Sequence, residues 1–382
     1  MFGRLIIAFS IIQLYCLCTN AQVSLSGYIN NYSLIGETEP NPFDEALWQN
    51  ITCQRLNFNW SINKNFDIQI SNQTNLSFGN STLLRLVKET STDNHNLLKL
   101  SCLLIDKEDK WLNLILDRLL MRWSTDKLEV SLGRQRINWG NTVLWHPNDI
   151  FDSSPFLNFT YPERMGCDAV RAAYYHNEVA TSELAVSADK RGSPTIAILH
   201  RNLYRSLEFQ LLGGVYKRYH LVAGGGFTTE LNEFSIRFEG SYFHDSRKNS
   251  DKVDVVQASM GIDKIFQNNF ILQAEALYTN KPDDITDLIS SYMYTEHSLR
   301  RLTISRWSFA GQIYYPFSGL FSINALMAYL PDQSAIYVGV GMKYQIFQNL
   351  EASAMVHAFD LNINESYPMD GRMGTLQVKY YF

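Results

Sequence analysis

From residue 200 onward the chain alternates hydrophobic and polar positions with a period of two. Between Asn232 and Phe243, Phe234, Ile236, Phe238, Gly240 and Tyr242 fall on one face, and Glu233, Ser235, Arg237, Glu239 and Ser241 on the other. In Gln333–Gln345, Ile336, Val338, Val340, Met342 and Tyr344 oppose Tyr337, Gly339, Gly341 and Lys343. In Asn349–Phe359, Leu350, Ala352, Ala354 and Val356 oppose Glu351, Ser353 and His357. Successive side chains leave a strand on opposite sides, so this period predicts strands with one apolar and one polar face. A soluble sandwich gives the same split. Repetition at about 9–11 residues per strand, with a polar second face throughout, is the pattern of a closed transmembrane barrel.

The pattern predicts strands near 22–32, 50–60, 65–77, 111–123, 127–137, 166–176, 179–189, 194–200, 205–215, 218–229, 231–243, 253–265, 268–279, 305–315, 319–330, 333–345, 348–359 and 371–382, which makes eighteen. The alternation is weakest at 194–200 and in the pair around 205–229, which leaves sixteen strands as the alternative count. The connections 60–65, 123–127, 176–179, 200–205, 229–231, 265–268, 315–319 and 345–348 are short and share one side. The long ones, 32–50, 77–111, 137–166, 243–253, 279–305 and 359–371, share the other. Short turns on the periplasmic side and long loops outside are the asymmetry of bacterial outer-membrane barrels. The fold class expected is therefore all-β: one closed antiparallel transmembrane barrel.

The first residues change the picture of where the chain resides. Arg4 precedes an apolar stretch from Leu5 to Cys18, followed by the small residues Thr19 and Ala21. This reads as a secretory signal peptide over 1–21, leaving a barrel over 22–382 in the outer membrane. No later run is long and apolar enough for a helical span. The chain ends in Tyr380-Tyr381-Phe382, and a terminal Phe closing an alternating strand resembles the signal read by the outer-membrane assembly machinery. Gln377 stands where that signal has glycine. The last strand is expected to pair with Val23–Tyr32.

Composition narrows the partners. The formal net charge is −5 with no basic block, which argues against nucleic acid. Outside the leader, Cys53, Cys102 and Cys167 form neither a disulfide framework nor a zinc site. No hydrolase, metalloprotease or nucleotide-binding motif is present, and no cofactor is expected. The expected partners are outer-membrane lipid and lipopolysaccharide, the assembly machinery and small hydrophilic solutes. The triplet Gly224-Gly225-Gly226 lies within an alternating strand and predicts a close backbone approach.

The most informative segment is 133–152, GRQRINWGNTVLWHPNDIFD. It resembles a run in porin-like outer-membrane barrels of the Bacteroidota, where a strand ending in Gly-Arg-Gln enters a Trp-Gly turn and an Asn-Pro-Asn-Asp-like loop. Asp117-Arg118 on the preceding strand and a mature start at Gln22 fit the same resemblance, which implies location and fold rather than substrate. The segment holds Trp139, Val143, Leu144, Trp145, Ile150 and Phe151, too many apolar side chains for a loop in water. The expectation is an infolded loop over 138–165, packed on the inner wall. Asn141, His146, Asn148, Asp149 and Asp152 would then line the pore, with Trp139 and Trp145 as anchors.

Strict alternation aims Arg134 and Arg136 at lipid, so either they reach the rim or a bulge at Gly133 turns them inward. A phase break at Asp117–Arg118 puts Arg118 and Arg122 on the polar face. Such arginines opposite Asp149 and Asp152 would set ion selectivity, or the same pairs would only pin the loop. An extracellular lid is the other reading of the segment. At the level of function these features point to a passive porin-like channel. The alternatives are a structural or assembly barrel that binds a surface polysaccharide or protein, and a barrel hydrolase using His146, Asp149 and Ser153 or Ser154.

Overall fold

The computed structural model describes residues 22–39, 46–80, 96–151, 166–247, 253–282, 302–362 and 368–382. The first strands are β1 (Gln22–Glu39), β2 (Leu47–Asn63), β3 (Phe66–Gly79), β4 (Ser101–Asp106), β5 (Lys110–Ser124), β6 (Leu128–Gln135) and β7 (Cys167–Tyr175). They are followed by β8 (Thr181–Ala188), β9 (Pro194–Tyr204), β10 (Leu207–Tyr216), β11 (His220–Leu231), β12 (Phe234–Asp245) and β13 (Val255–Ile265). The chain finishes with β14 (Ile271–Thr279), β15 (Trp307–Pro316), β16 (Phe321–Leu330), β17 (Ala335–Phe347), β18 (Leu350–Asn362) and β19 (Pro368–Tyr381). Eighteen of them form a closed antiparallel barrel. The alternating segments around 194–229, which left sixteen open, form β9, β10 and β11.

The ring closes where β19 pairs with β1, from Tyr28 opposite Tyr381 to Glu39 opposite Asp370. Gly27 and Phe382 exchange backbone hydrogen bonds of 2.9 and 3.0 Å. The last strand thus meets the first, as expected, but shares only Tyr28–Tyr32 with the expected span Val23–Tyr32. β1 runs further up than its alternation shows, and its first residues, Gln22–Ser26, pair with β2 alone. Closing a barrel of tilted strands requires such a stagger. The turns between strands are tight on one side: Asn232 and Glu233 have φ of 53° and 84°, the paired left-handed geometry of a two-residue hairpin.

β4 has no counterpart among the strands predicted. β6 pairs with β5 only up to Arg134 opposite Leu119, after which its chain leaves the sheet. β4 pairs with the upper part of β5, from Ser101 opposite Ile115 to Asp106 opposite Trp111. It thereby covers an edge that would otherwise carry unpaired backbone groups. Six residues are too few for a visible alternation, and their pairing is set by where β6 stops.

Outward positions carry Leu132, Leu211, Met260, Val340, Val356 and Leu376, all exposed. At the short-turn end lie Trp123, Tyr174, Tyr204, Phe266, Phe317 and Phe347, and toward the other end Trp48, Phe78, Tyr242, Trp307 and Tyr329. An apolar band between two aromatic belts is what a bilayer demands of a barrel's outer surface.

Candidate functional site

On the inward phase, Leu199, Phe243 and Leu277 are fully buried and Val255 is nearly so, beside the small residues Ala169, Ala185, Ala197, Ala310 and Ala328. Apolar side chains on the inner wall need a cover, and the segment after β6 supplies it. Ile137, Trp139, Ile150 and Phe151 pack with the inward residues of β7–β13 in one cluster. Trp145 packs with Leu277, Ala310, Ala328 and Tyr337 in a second. Trp139 has no exposed surface and meets the Phe151 ring edge-on at 4.8 Å. Residues 137–151 therefore lie within the barrel, against its wall. Residues 152–165, with Asp152, Ser153 and Ser154, are outside the described residues.

Three wall carboxylates hold this segment by its donors. Glu275 on β14 accepts the backbone N–H of Val143 at 2.9 Å, Leu144 at 3.0 Å and Trp145 at 2.7 Å, and the Ser259 hydroxyl at 3.0 Å. Glu239 on β12 accepts the N–H of Asn141 at 3.2 Å and of Thr142 at 3.3 Å, and the Thr142 hydroxyl. Glu183 on β8 accepts Trp139 Nε1–H at 3.1 Å. Consecutive loop N–H groups thus converge on buried carboxylates, an arrangement that stabilises charge as an anion-binding nest does. Gln210 Nε2 adds a bond of 3.0 Å to the Trp139 carbonyl.

The glycine triplet admits the loop. Asn148 is fully buried, donates to the Gly225 carbonyl at 3.0 Å and accepts from Ser241 Oγ at 2.7 Å. A Cβ on Gly224 would stand 2.6 Å from Asn148 Oδ1. Gly224→Val should therefore push the loop off β11. It should raise single-channel conductance and its fluctuations in a planar bilayer, with the barrel still assembled. Conductance equal to that of the unmodified chain would show that this contact does not hold the loop.

The other candidates fall as follows. Asp149 is buried, and its Oδ1 accepts the Trp139 N–H at 3.1 Å, so it closes the loop on itself. His146 Nδ1 lies 3.7 Å from Glu239 Oε1, so the imidazole sits beside a wall carboxylate. Asn141 is half-buried and contributes its backbone N–H. Arg136 is exposed. Tyr380 and Phe382 are exposed on the outer wall with ring centroids 6.5 Å apart.

The arginines correct the sequence expectation. The phase break is a β-bulge between β3 and β5 that leaves Asp117 as the extra residue. Both Asp117 and Arg118 are buried there, and Asp117 Oδ2 lies 3.2 Å from Arg118 Nη1 and 2.9 Å from Arg55 Nη1. No bulge occurs at Gly133, since the β5–β6 register runs unbroken from Glu129 to Arg134. Arg134 keeps the outward phase and is nevertheless buried. Asp168 on β7 grips it with two bonds, 2.8 and 2.9 Å. The chain before β4 covers the pair: the Leu98 carbonyl accepts from Arg134, and the Leu98 N–H donates to Asp168 at 2.7 Å. Arg122 lies 3.9 Å from Glu129, within a row in which Arg171 bridges Glu129 and Glu183 at 2.7 Å each and Arg201 lies 3.5 Å from Glu183. Among the described residues, Arg118, Arg122 and Arg134 thus each face a wall carboxylate, while Asp152 lies outside them.

Sequence reasoning missed Glu183, Glu239 and Glu275 as the groups that hold the loop. Glu239 stood on the polar face of its strand, but nothing local distinguishes it from a solvated side chain. The usable signal is the run of small inward neighbours, which leaves room for a second layer of chain.

No family profile matches the sequence, and no curated protein is similar to it in sequence. Solved structures do match in three dimensions. OccAB3 of Acinetobacter baumannii superimposes with a TM-score of 0.62 at 9% identity, over 94% of this chain and 99% of that one. OpdO of Pseudomonas aeruginosa gives 0.60 at 11% identity, over 94% and 97%. OccK5 (OpdH) of the same species gives 0.57 at 11% identity, over 94% and 98%. The fold is that of the outer-membrane porins. At these identities the likeness concerns architecture, and the loop-anchoring carboxylates are described for this chain alone.

Proposed function

We propose that the chain is an outer-membrane channel for passive diffusion of small hydrophilic solutes, narrowed by the segment 137–151. The observation that carries this reading is the segment's position within the barrel, tied to Glu239 and Glu275. Non-helical backbone at membrane depth is tolerated where protein covers it or where it borders a water-filled space. The apolar outer band and the porin-like fold support the location. In this reading residues 1–21 direct export, Tyr380 and Phe382 are read by the assembly machinery, and the 133–152 run allies the chain to the Bacteroidota barrels it resembles. The row Arg122, Glu129, Arg171, Glu183 and Arg201 places charges of both signs on the inner wall, where passing solutes would meet them.

The test is a planar-bilayer measurement on refolded protein. The full chain should give discrete conductance steps, and deletion of Asn141–Asp149 should enlarge them without preventing assembly. A deletion variant that assembles and conducts like the parent would remove the segment as the constriction. A parent that never conducts would favour a structural barrel.

A further inference from the structure

The outer wall breaks its apolar rule on three neighbouring strands. On the outward phase β1 carries Asn31 and Ser33, β2 carries Asn50, Thr52 and Gln54, and β3 carries Asn72 and Thr74. The phase is fixed on both sides. Asn30, Gln49, Cys53, Arg55, Gln73 and Asn75 alternate with this set and are buried within the barrel. Ile29, Ile35, Trp48 and Phe78 share its phase and are exposed. Gln54 lies midway along β2 between Trp48 and Trp60, and Asn72 midway along β3 between Phe66 and Phe78. The patch is therefore at mid-depth, away from the interfaces where polar groups meet water. At the same level the flanking strands return to Leu112, Leu114 and Leu116 on β5 and to Leu376 and Val378 on β19.

Part of the patch satisfies itself. Asn31 Nδ2 donates to Asn50 Oδ1 at 3.1 Å and to Thr52 Oγ1 at 2.9 Å, and Asn50 Nδ2 donates to Asn31 Oδ1 at 3.1 Å and to Ser33 Oγ at 2.7 Å. Gln54, Asn72 and Thr74 have no side-chain hydrogen bond among the described residues. Lipid tails offer neither donor nor acceptor, so these groups are costly unless another polar surface meets them. Beside the patch, entered past Ser33 and Ile35, the wall is hollowed by about 480 Å³ over Ala354 and Gly374, between Val340, Val356 and Leu376. A recess in a convex barrel gives a neighbour's side chains a seat.

The chemistry selects the neighbour. The patch has no charged residue, and amides and hydroxyls offer donors and acceptors together, so it complements itself. A second copy inserted the same way carries the same groups at the same depth. A symmetry axis along the membrane normal then sets amide against amide. We propose that the outer wall of β1–β3 is the contact on which a second copy of this chain docks within the membrane. The inference rests on the reading of the protein as a membrane barrel.

The test uses the full chain with Cys53, Cys102 and Cys167 changed to Ser. Gln54→Cys in this background, oxidised in membranes, should give a band at twice the monomer mass on a non-reducing gel. Met260→Cys, outward on β13, should not. Light scattering in detergent should show a multiple of the monomer mass for the parent. The triple change Asn31→Leu, Gln54→Leu, Asn72→Leu should shift it to the monomer while keeping the heat-dependent gel migration of a folded barrel. A monomeric parent with no Gln54→Cys cross-link, or a cross-link to a different protein, overturns the proposal. A monomer that still conducts would overturn the docking alone and leave the channel reading standing.

Discussion

Replacing both Glu239 and Glu275 with Ala should free the 137–151 segment and raise the conductance of the barrel severalfold. Glu275 alone receives three consecutive backbone N–H groups, and Glu239 two more and a hydroxyl. Hydrogen bonds to a charged acceptor contribute about 1.5–3 kcal/mol each, and a buried N–H left without a partner costs about 1–3 kcal/mol. Losing the set outweighs what Trp139 and Trp145 gain by burial, roughly 1.5–3 kcal/mol apiece for large apolar side chains. The segment should therefore leave the wall rather than adjust on it. Single changes should act in the same direction but less, with Glu275→Ala the stronger. The readout is single-channel conductance beside protease sensitivity near Val143. A double variant that assembles, conducts like the parent and resists protease equally would mean the apolar clusters alone hold the loop.

Asp168→Ala should lower the stability of the barrel by about 3–5 kcal/mol, because it strands a buried guanidinium. Arg134 is almost wholly buried on the outward phase of β6, where Asp168 at 2.8 and 2.9 Å meets its charge and the Leu98 backbone lies over it. The variant should lose the folded gel form at a distinctly lower temperature. The double variant Asp168→Ala, Arg134→Leu should recover much of the loss, since removing both partners leaves no uncompensated charge. Conductance should move little, as the pair sits in the wall and not on the loop. Equal melting of parent and Asp168→Ala would show the pair to be exchanging with water.

Reading the arginines from sequence went astray for an identifiable reason. Alternation placed Arg134 toward lipid, and that phase is what the structure has. Reaching the rim or a bulge at Gly133 were the two ways to avoid the cost of an outward arginine. The structure avoids it with the chain before β4, where Leu98, 36 residues before Arg134, folds over the ion pair. The phase break at Asp117–Arg118, by contrast, is local, and the bulge lies there.

The sequence by itself determined the barrel strands other than β4, their even number and, outside β1–β3, which face of each is apolar, because a period of two is written residue by residue where one face meets the bilayer. It also marked the segment 133–152 as too apolar for water, and the glycine triplet as a place of close approach. Only the tertiary structure decided what approaches: Asn148 against Gly224 and Gly225, five loop N–H groups against Glu239 and Glu275, and Leu98 over Arg134. These contacts join residues far apart in the chain, and a backbone N–H leaves no mark in the sequence to say which carboxylate it will meet. Likewise the stagger of β1 against β19 follows from closing the ring, a condition on all eighteen strands together that no single strand records.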